Sequence, residues 1–170
     1  MFFGTYTHSV DPAGRFILPK KFRNNLGDNF LITKGVGCLW IFTQEYLTGR
    51  LEESVDLLGK NPLRGLFDPN VTRWTRHVFA EMVATNDDSQ NRVPLIQEHR
   101  QYAGIQDEVA IVGCGQLIEL WNPKALDEYR RRVDADPDGL VASAEAVKPV
   151  LSHLLEENAD AGIPSAGSQE

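Results

Sequence analysis

Cysteine is scarce in this chain of 170 residues: there are two, Cys38 and Cys114, beside four histidines that stand apart from one another. Two thiols cannot build the disulfide framework of a small secreted domain, and no Cys/His spacing matches a zinc site. Both cysteines neighbour glycines (Gly37; Gly113 and Gly115) and read as small buried residues near turns, not as a bridge. Long apolar runs are also missing. None reaches the roughly 18 residues needed to span a bilayer. The opening Met1-Phe2-Phe3-Gly4-Thr5 has neither the basic region nor the apolar stretch of a secretory leader. A cytoplasmic protein with no membrane partner is the expectation. G-x-S-x-G, P-loop and H-E-x-x-H motifs are absent, so the sequence points to no enzyme, no cofactor and no metal site.

Basic residues are outnumbered, 17 against 24 acidic ones, for a net charge of −7. Such a balance argues against a nucleic-acid partner until its distribution is considered. Residues 133–170 hold eight carboxylates against Lys148 alone, which accounts for the whole excess. Residues 1–50 carry six basic groups and three acidic ones, a local charge of +3. The acidity belongs to the C-terminal stretch and the N-terminal segment is locally basic.

What the chain does contain, it contains twice. Asp11-Pro12-Ala13-Gly14-Arg15 returns as Asp88-Ser89-Gln90-Asn91-Arg92, each an Asp-x-x-x-Arg unit. Arg23 follows the first and Arg100 the second, each in a short helical stretch closed by Gly27 or Gly104. All four pairs (Asp11/Asp88, Arg15/Arg92, Arg23/Arg100, Gly27/Gly104) are separated by 77 residues. Each unit ends in an apolar run, Leu39–Phe42 or Leu117–Trp121. A tandem duplication of this kind implies one small unit used twice about a pseudo-twofold axis. Each copy is too short for a comfortable core of its own, so two halves sharing one core are expected.

Within each copy the pattern predicts strand, turn, strand, helix and two further strands. In the first, Tyr6–Val10 and Arg15–Leu18 flank an Asp-Pro-Ala-Gly turn. Pro19 opens a helix through Leu26, with Phe22 and Leu26 on one face and Lys20, Lys21 and Arg23 toward solvent. Phe30–Thr33 and Leu39–Phe42 complete the unit. The connector predicts helices over Gln44–Leu58 and over Asn70–Ala84, the second capped by Asp68 or Asn70. In the second copy Val109–Val112 and Leu117–Trp121 are strands. Pro123 starts a helix through Tyr129 and Arg130-Arg131-Arg132, Asp134–Gly139 is a charged hinge, and Leu140–Leu155 forms an amphipathic helix interrupted by Pro149. From Glu156 onward the composition is that of a disordered acidic tail.

A carboxylate at the start of a hairpin turn can accept backbone N–H groups and orient a guanidinium four residues on. An Arg fixed on a hairpin tip can enter a DNA groove and bond a guanine edge or a phosphate. One copy would suit a plain turn salt bridge; two at constant offset in matching contexts point to function. Arg15 and Arg92 are therefore candidate DNA-binding residues, and Asp11, Gly14, Asp88 and Asn91 the residues that organise the turns. Lys20, Lys21 and Arg23 make a basic patch suited to phosphates. Arg100, with His99, is the weaker counterpart in the second copy, where Glu98 dilutes the charge. Arg130–Arg132 reads as a run of cations complementing a helix C-terminus.

The repeated Asp-x-x-x-Arg inside a strand–turn–strand–helix unit of about forty residues resembles the SpoVT/AbrB-like DNA-binding family. Met1–Tyr6, Val10–Arg23, Tyr102-Ala103-Gly104-Ile105 and Ile118–Trp121 are similar to one branch of bacterial transcriptional regulators in it. The resemblance covers residues 1–130 and implies an α+β, mainly β fold. In it, tandem swapped-hairpin repeats form a pseudo-dimeric, double-barrel-like domain with flanking helices. The boundaries are 5–47 for the first repeat, 48–80 for a helical connector, 81–124 for the second repeat and 125–170 for a C-terminal helix and tail. It further implies a cytoplasmic, nucleoid-associated regulator of the division and cell-wall gene cluster, including its own promoter. Such a regulator binds double-stranded DNA carrying short direct repeats and closes into a ring of identical subunits, octamer-like in size. The alternative is a protein-interaction module that has lost DNA binding and sequesters a partner enzyme of the same cluster. Where the family has Gly before its second Arg this chain has Asn91, and Pro94 interrupts the strand that follows. Asn91 tolerates positive φ, so the turn can survive, but Pro94 removes a ladder donor and leads us to expect the first hairpin to dominate binding.

Overall fold

The computed structural model describes residues 1–49 and 68–147. It divides into two compact units, Met1–Leu126 and Asp127–Glu170. The first is α+β, dominated by antiparallel strands. A six-stranded sheet has the order β1-β7-β8-β4-β3-β5, with β1 at Phe2–Ser9, β3 at Phe30–Lys34, β4 at Leu39–Thr43, β5 at Val83–Thr85, β7 at Glu108–Gly115 and β8 at Leu117–Trp121. A separate two-stranded ribbon pairs β2, Arg15–Ile17, with β6, Arg92–Pro94. Every neighbouring pair is antiparallel.

Period-two alternation gives the sheet two apolar faces. Leu39 and Ile41 of β4, Val109 and Ile111 of β7, and Ile118 and Leu120 of β8 enter the main core. There they meet Phe16 of β2, Val93 of β6, and Phe22, Leu26 and Ala103 from two short helices, Lys20–Leu26 and Gln97–Ala103. On the opposite face Cys38, Ala110, Trp121 and Leu126 form a smaller cluster flanked by Trp40 and Val112. Both cysteines are free thiols, Cys38 buried and Cys114 exposed. Burial, with Glu119 nearby, raises the Cys38 thiol to about 12.

The first helix begins at Lys20, with Pro19 as its cap. The connector departs further from expectation. Its second helix is Pro69–Phe79, capped by Asp68, whose carboxylate accepts the Asn70 and Val71 N–H groups at 2.7 and 3.4 Å. It does not continue to Ala84: Val83–Thr85 instead pairs with Phe30–Ile32 as β5. A sheet edge offering free N–H and C=O groups outcompetes the further turn of helix there. The buried Thr33 hydroxyl donates to the Val78 carbonyl and ties this helix to β3. Residues 44–49 are helical, and the rest of the expected Gln44–Leu58 helix lies outside the described residues. The helix opened by Pro123 runs to Asp134, two residues beyond the expected end at Arg132. After a break at residues 135–136, a further helix occupies 137–147, with the Asp136 carboxylate accepting the Gly139 N–H at 3.0 Å. The remainder of the expected Leu140–Leu155 helix and the tail lie outside the described residues.

Candidate nucleic-acid interface

The two Asp-x-x-x-Arg units fold into the same turn. In the first, Asp11 Oδ1 accepts the backbone N–H groups of Ala13 and Arg15 at 3.0 and 2.9 Å. Its Oδ2 accepts Arg15 Nε and Nη2, both at 2.8 Å. In the second, Asp88 Oδ1 accepts the N–H groups of Gln90 and Arg92 at 2.9 and 3.0 Å. Asp88 Oδ2 takes Arg92 Nε at 2.9 Å and Nη2 at 2.8 Å. The backbone repeats the match: Gly14 donates to the Asp11 carbonyl at 2.8 Å, and Asn91 to that of Asp88 at 2.8 Å. Both turns need a left-handed residue at this point, supplied by Gly14 (φ 79°) and by Asn91 (φ 60°), a side chain that tolerates it.

The β2–β6 register places Ile17 opposite Arg92 and Arg15 opposite Pro94, which sets the turns side by side. Each guanidinium also reaches across: Arg15 Nη1 lies 3.9 Å from Asp88 Oδ2, and Arg92 Nη1 lies 3.9 Å from Asp11 Oδ2. Two carboxylates and two guanidiniums thus form a closed, charge-balanced quartet. The Arg92 side-chain bond, then the backbone N–H groups, hold the Asp88 carboxyl down at about 2, and the same causes lower Asp11. A guanidinium has five N–H groups, and its own Asp engages only two. Both arginines keep about a third of the side chain exposed, with donors left for an outside acceptor. Pro94 ends a three-residue ribbon strand and leaves the second turn's bonds intact. The geometry therefore gives the first turn no advantage from Pro94.

The surrounding cations divide. Lys20 and Lys21 are exposed, and Lys21 Nζ sits 3.5 Å over the Phe3 ring. Arg23 and Arg100 are half-buried. Arg23 Nη1 approaches Asp87 Oδ2 at 3.7 Å, and Arg100 lies against Gly14. His99 does not join a basic patch: it is 1% exposed, with its Nε2 2.7 Å from the Glu81 carbonyl. It occupies the place that Phe22 fills 77 residues earlier, a core position where helical periodicity outweighs side-chain type. Asp87 was missed as a partner for Arg23, because its counterpart in the first copy is the apolar Val10. Among the described residues no group of three or more His, Cys, Asp or Glu side chains could hold a metal ion. No helix among them is long and apolar enough to cross a membrane.

Residues 1–48 and 78–139 match the sequence profile of the family described as "MraZ protein, putative antitoxin-like". The chain belongs to the MraZ family. The two matched segments each contain one Asp–Arg turn and the short helix after it, and they omit most of the connector. The Transcriptional regulator MraZ of Acetivibrio thermocellus is 36% identical over 130 residues, covering 76% of this chain and 86% of that protein. That of Halothermothrix orenii is 32% identical over 146 residues, covering 85% and 97%. That of Clavibacter michiganensis subsp. michiganensis is 33% identical over 152 residues, covering 89% and 99%.

Proposed function

We propose that this MraZ-family chain is a non-enzymatic, sequence-specific DNA-binding regulator of transcription. Its targets are the division and cell-wall gene cluster and its own promoter. The observation that carries the reading is the quartet: two arginines on adjacent hairpin tips, each aimed by a carboxylate and each with donors to spare. Two such forks side by side suit acceptors on neighbouring base pairs, with Lys20 and Lys21 available to phosphates. The names of the relatives supply the regulatory role.

The strand order supports the swapped-hairpin arrangement. β1 of the first repeat pairs with β7 of the second, and β5 of the second pairs with β3 of the first. β4 and β8 meet between them, as they would at a pseudo-twofold axis. The proposed organisation keeps residues 5–47 and 81–124 as repeats, 48–80 as connector and 125–170 as C-terminal extension. A closed ring of identical subunits, octamer-like, on short direct repeats belongs to the same reading. Phe3 and Trp74 remain 58% and 48% exposed in one copy of the chain, large apolar surface that subunit contacts would cover.

A second reading, a module that sequesters a partner enzyme, is favoured by the internal pairing of both arginines. Fluorescence anisotropy of a labelled duplex from upstream of the chain's own gene separates the two. Affinity that falls steeply with salt and exceeds that for a scrambled duplex supports the regulator. No binding at low salt favours the interaction module.

A further inference from the structure

We propose that Arg100 and Arg23 are positioning residues: each braces the Asp–Arg turn of the opposite repeat, and neither contacts DNA phosphate. The DNA half of this statement rests on the function proposed above; the bracing half does not. Arg100 belongs to the helix Gln97–Ala103, yet its guanidinium lies against the turn that begins at Asp11. A Cβ added to Gly14 would sit 2.7 Å from Arg100 Nε and 2.8 Å from its Cζ. Glycine suits position 14 through its φ of 79°, and the Arg100 guanidinium lies in the space a side chain there would enter. The Gly14 carbonyl meanwhile accepts the Leu95 N–H at 3.0 Å, so second-repeat groups hold Gly14 at two points. Arg23 makes the reciprocal reach. From the helix Lys20–Leu26 its Nη1 approaches Asp87, the residue immediately before the second turn, at 3.7 Å.

Burial separates these arginines from phosphate ligands. The Nε atoms of Arg23 and Arg100 are shielded from solvent and have no hydrogen-bond partner among the described residues. A side-on fork to phosphate uses Nε together with one Nη, and here that edge is closed. Lys20 and Lys21, on the same helix as Arg23, are exposed. Phosphate contact and turn support are therefore shared out between neighbouring cations.

The test uses the full chain and a labelled duplex from upstream of its gene, with a scrambled duplex as control. Lysine keeps the charge a phosphate contact needs and loses the flat guanidinium that fills the Gly14 site. Arg100→Lys should therefore behave like Arg100→Ala. Both should lose about tenfold or more in specific affinity, lower the ratio of specific to scrambled binding, and leave the salt slope as in the wild type. Lys20→Ala should instead flatten that slope by about 0.9. A stability defect alone would weaken both duplexes equally and spare their ratio. Wild-type affinity in Arg100→Lys, or a slope flattened by Arg100→Ala, would overturn the proposal. In the DNA-free protein the Gly14 amide resonance should move in both Arg100 variants, and an unmoved resonance overturns the brace. If the wild type binds no duplex the proposed function fails, and this resonance still decides the bracing. For Arg23, Asp87→Asn should match Arg23→Ala and add nothing to it in the double variant; additive losses would refute that half.

Discussion

At the first turn the left-handed position is Gly14, with a guanidinium where a side chain would be; at the second it is Asn91, whose side chain is exposed. The bonds inside the two turns match within 0.1 Å in the Asp–Arg contacts, so the difference lies in what supports them. Beside the first turn lies the Arg100 guanidinium; beside the second, Arg23 approaches Asp87. The two units share the bonds within the turn and differ in the residues packed behind it. The helices show the same divergence, with Phe22 on one side and His99 on the other at the same core position.

The largest effect should come from those helices. Phe22→Ala removes a fully buried ring and should cost about 3–5 kcal/mol. His99→Ala should cost less, about 1–3 kcal/mol, mainly through the unpaired Glu81 carbonyl. Urea unfolding measures both, and equal costs would erase this contrast between the halves. Next come the turn glycines. Gly14→Ala meets both the strained φ and Arg100 and should destabilise by about 1–3 kcal/mol. Asn91→Gly should stay within about 0.5 kcal/mol. A costly Asn91→Gly would mean that its side chain, and not only its backbone angle, holds the second turn.

Acid should act on both turns alike. The Asp88 carboxyl is held near 2 in the folded chain against an ordinary 3.8, so the folded state resists its protonation. Stability from this group is complete above pH 3.8 and is lost as the pH falls toward 2. Asp88→Asn should make the fall in melting temperature across that interval shallower, and Asp11→Asn should act in the same direction. An unchanged slope in either variant would show that its turn does not hold the carboxylate as described.

Much of this was legible in the residues. The constant offset exposed the duplication, and Asp-x-x-x-Arg with a left-handed position between its charged ends announced a carboxylate-organised turn. The helix Lys20–Leu26 was readable from Pro19, the Phe22/Leu26 pair and Gly27. Other features depend on chain segments meeting across long sequence separations, which local patterns do not encode. Val83 and Ala84 looked helical because only the pairing of Val83–Thr85 with β3 makes them a strand. His99 looked like part of a basic patch because its charge type hid a core position. The quartet was invisible for the same reason: each Asp-x-x-x-Arg showed its own pair, and only the β2–β6 register brings the pairs together.

The central claim is that both turns present arginines to DNA as matched elements. Anisotropy titrations of the wild type, Arg15→Ala and Arg92→Ala against the duplex upstream of the chain's own gene test it most directly. Each variant should lose about 1–3 kcal/mol of specific binding, with losses of similar size and a folded protein by circular dichroism. Wild-type affinity in both variants would contradict the account, and a loss confined to one would show that the matched geometry does not carry matched function.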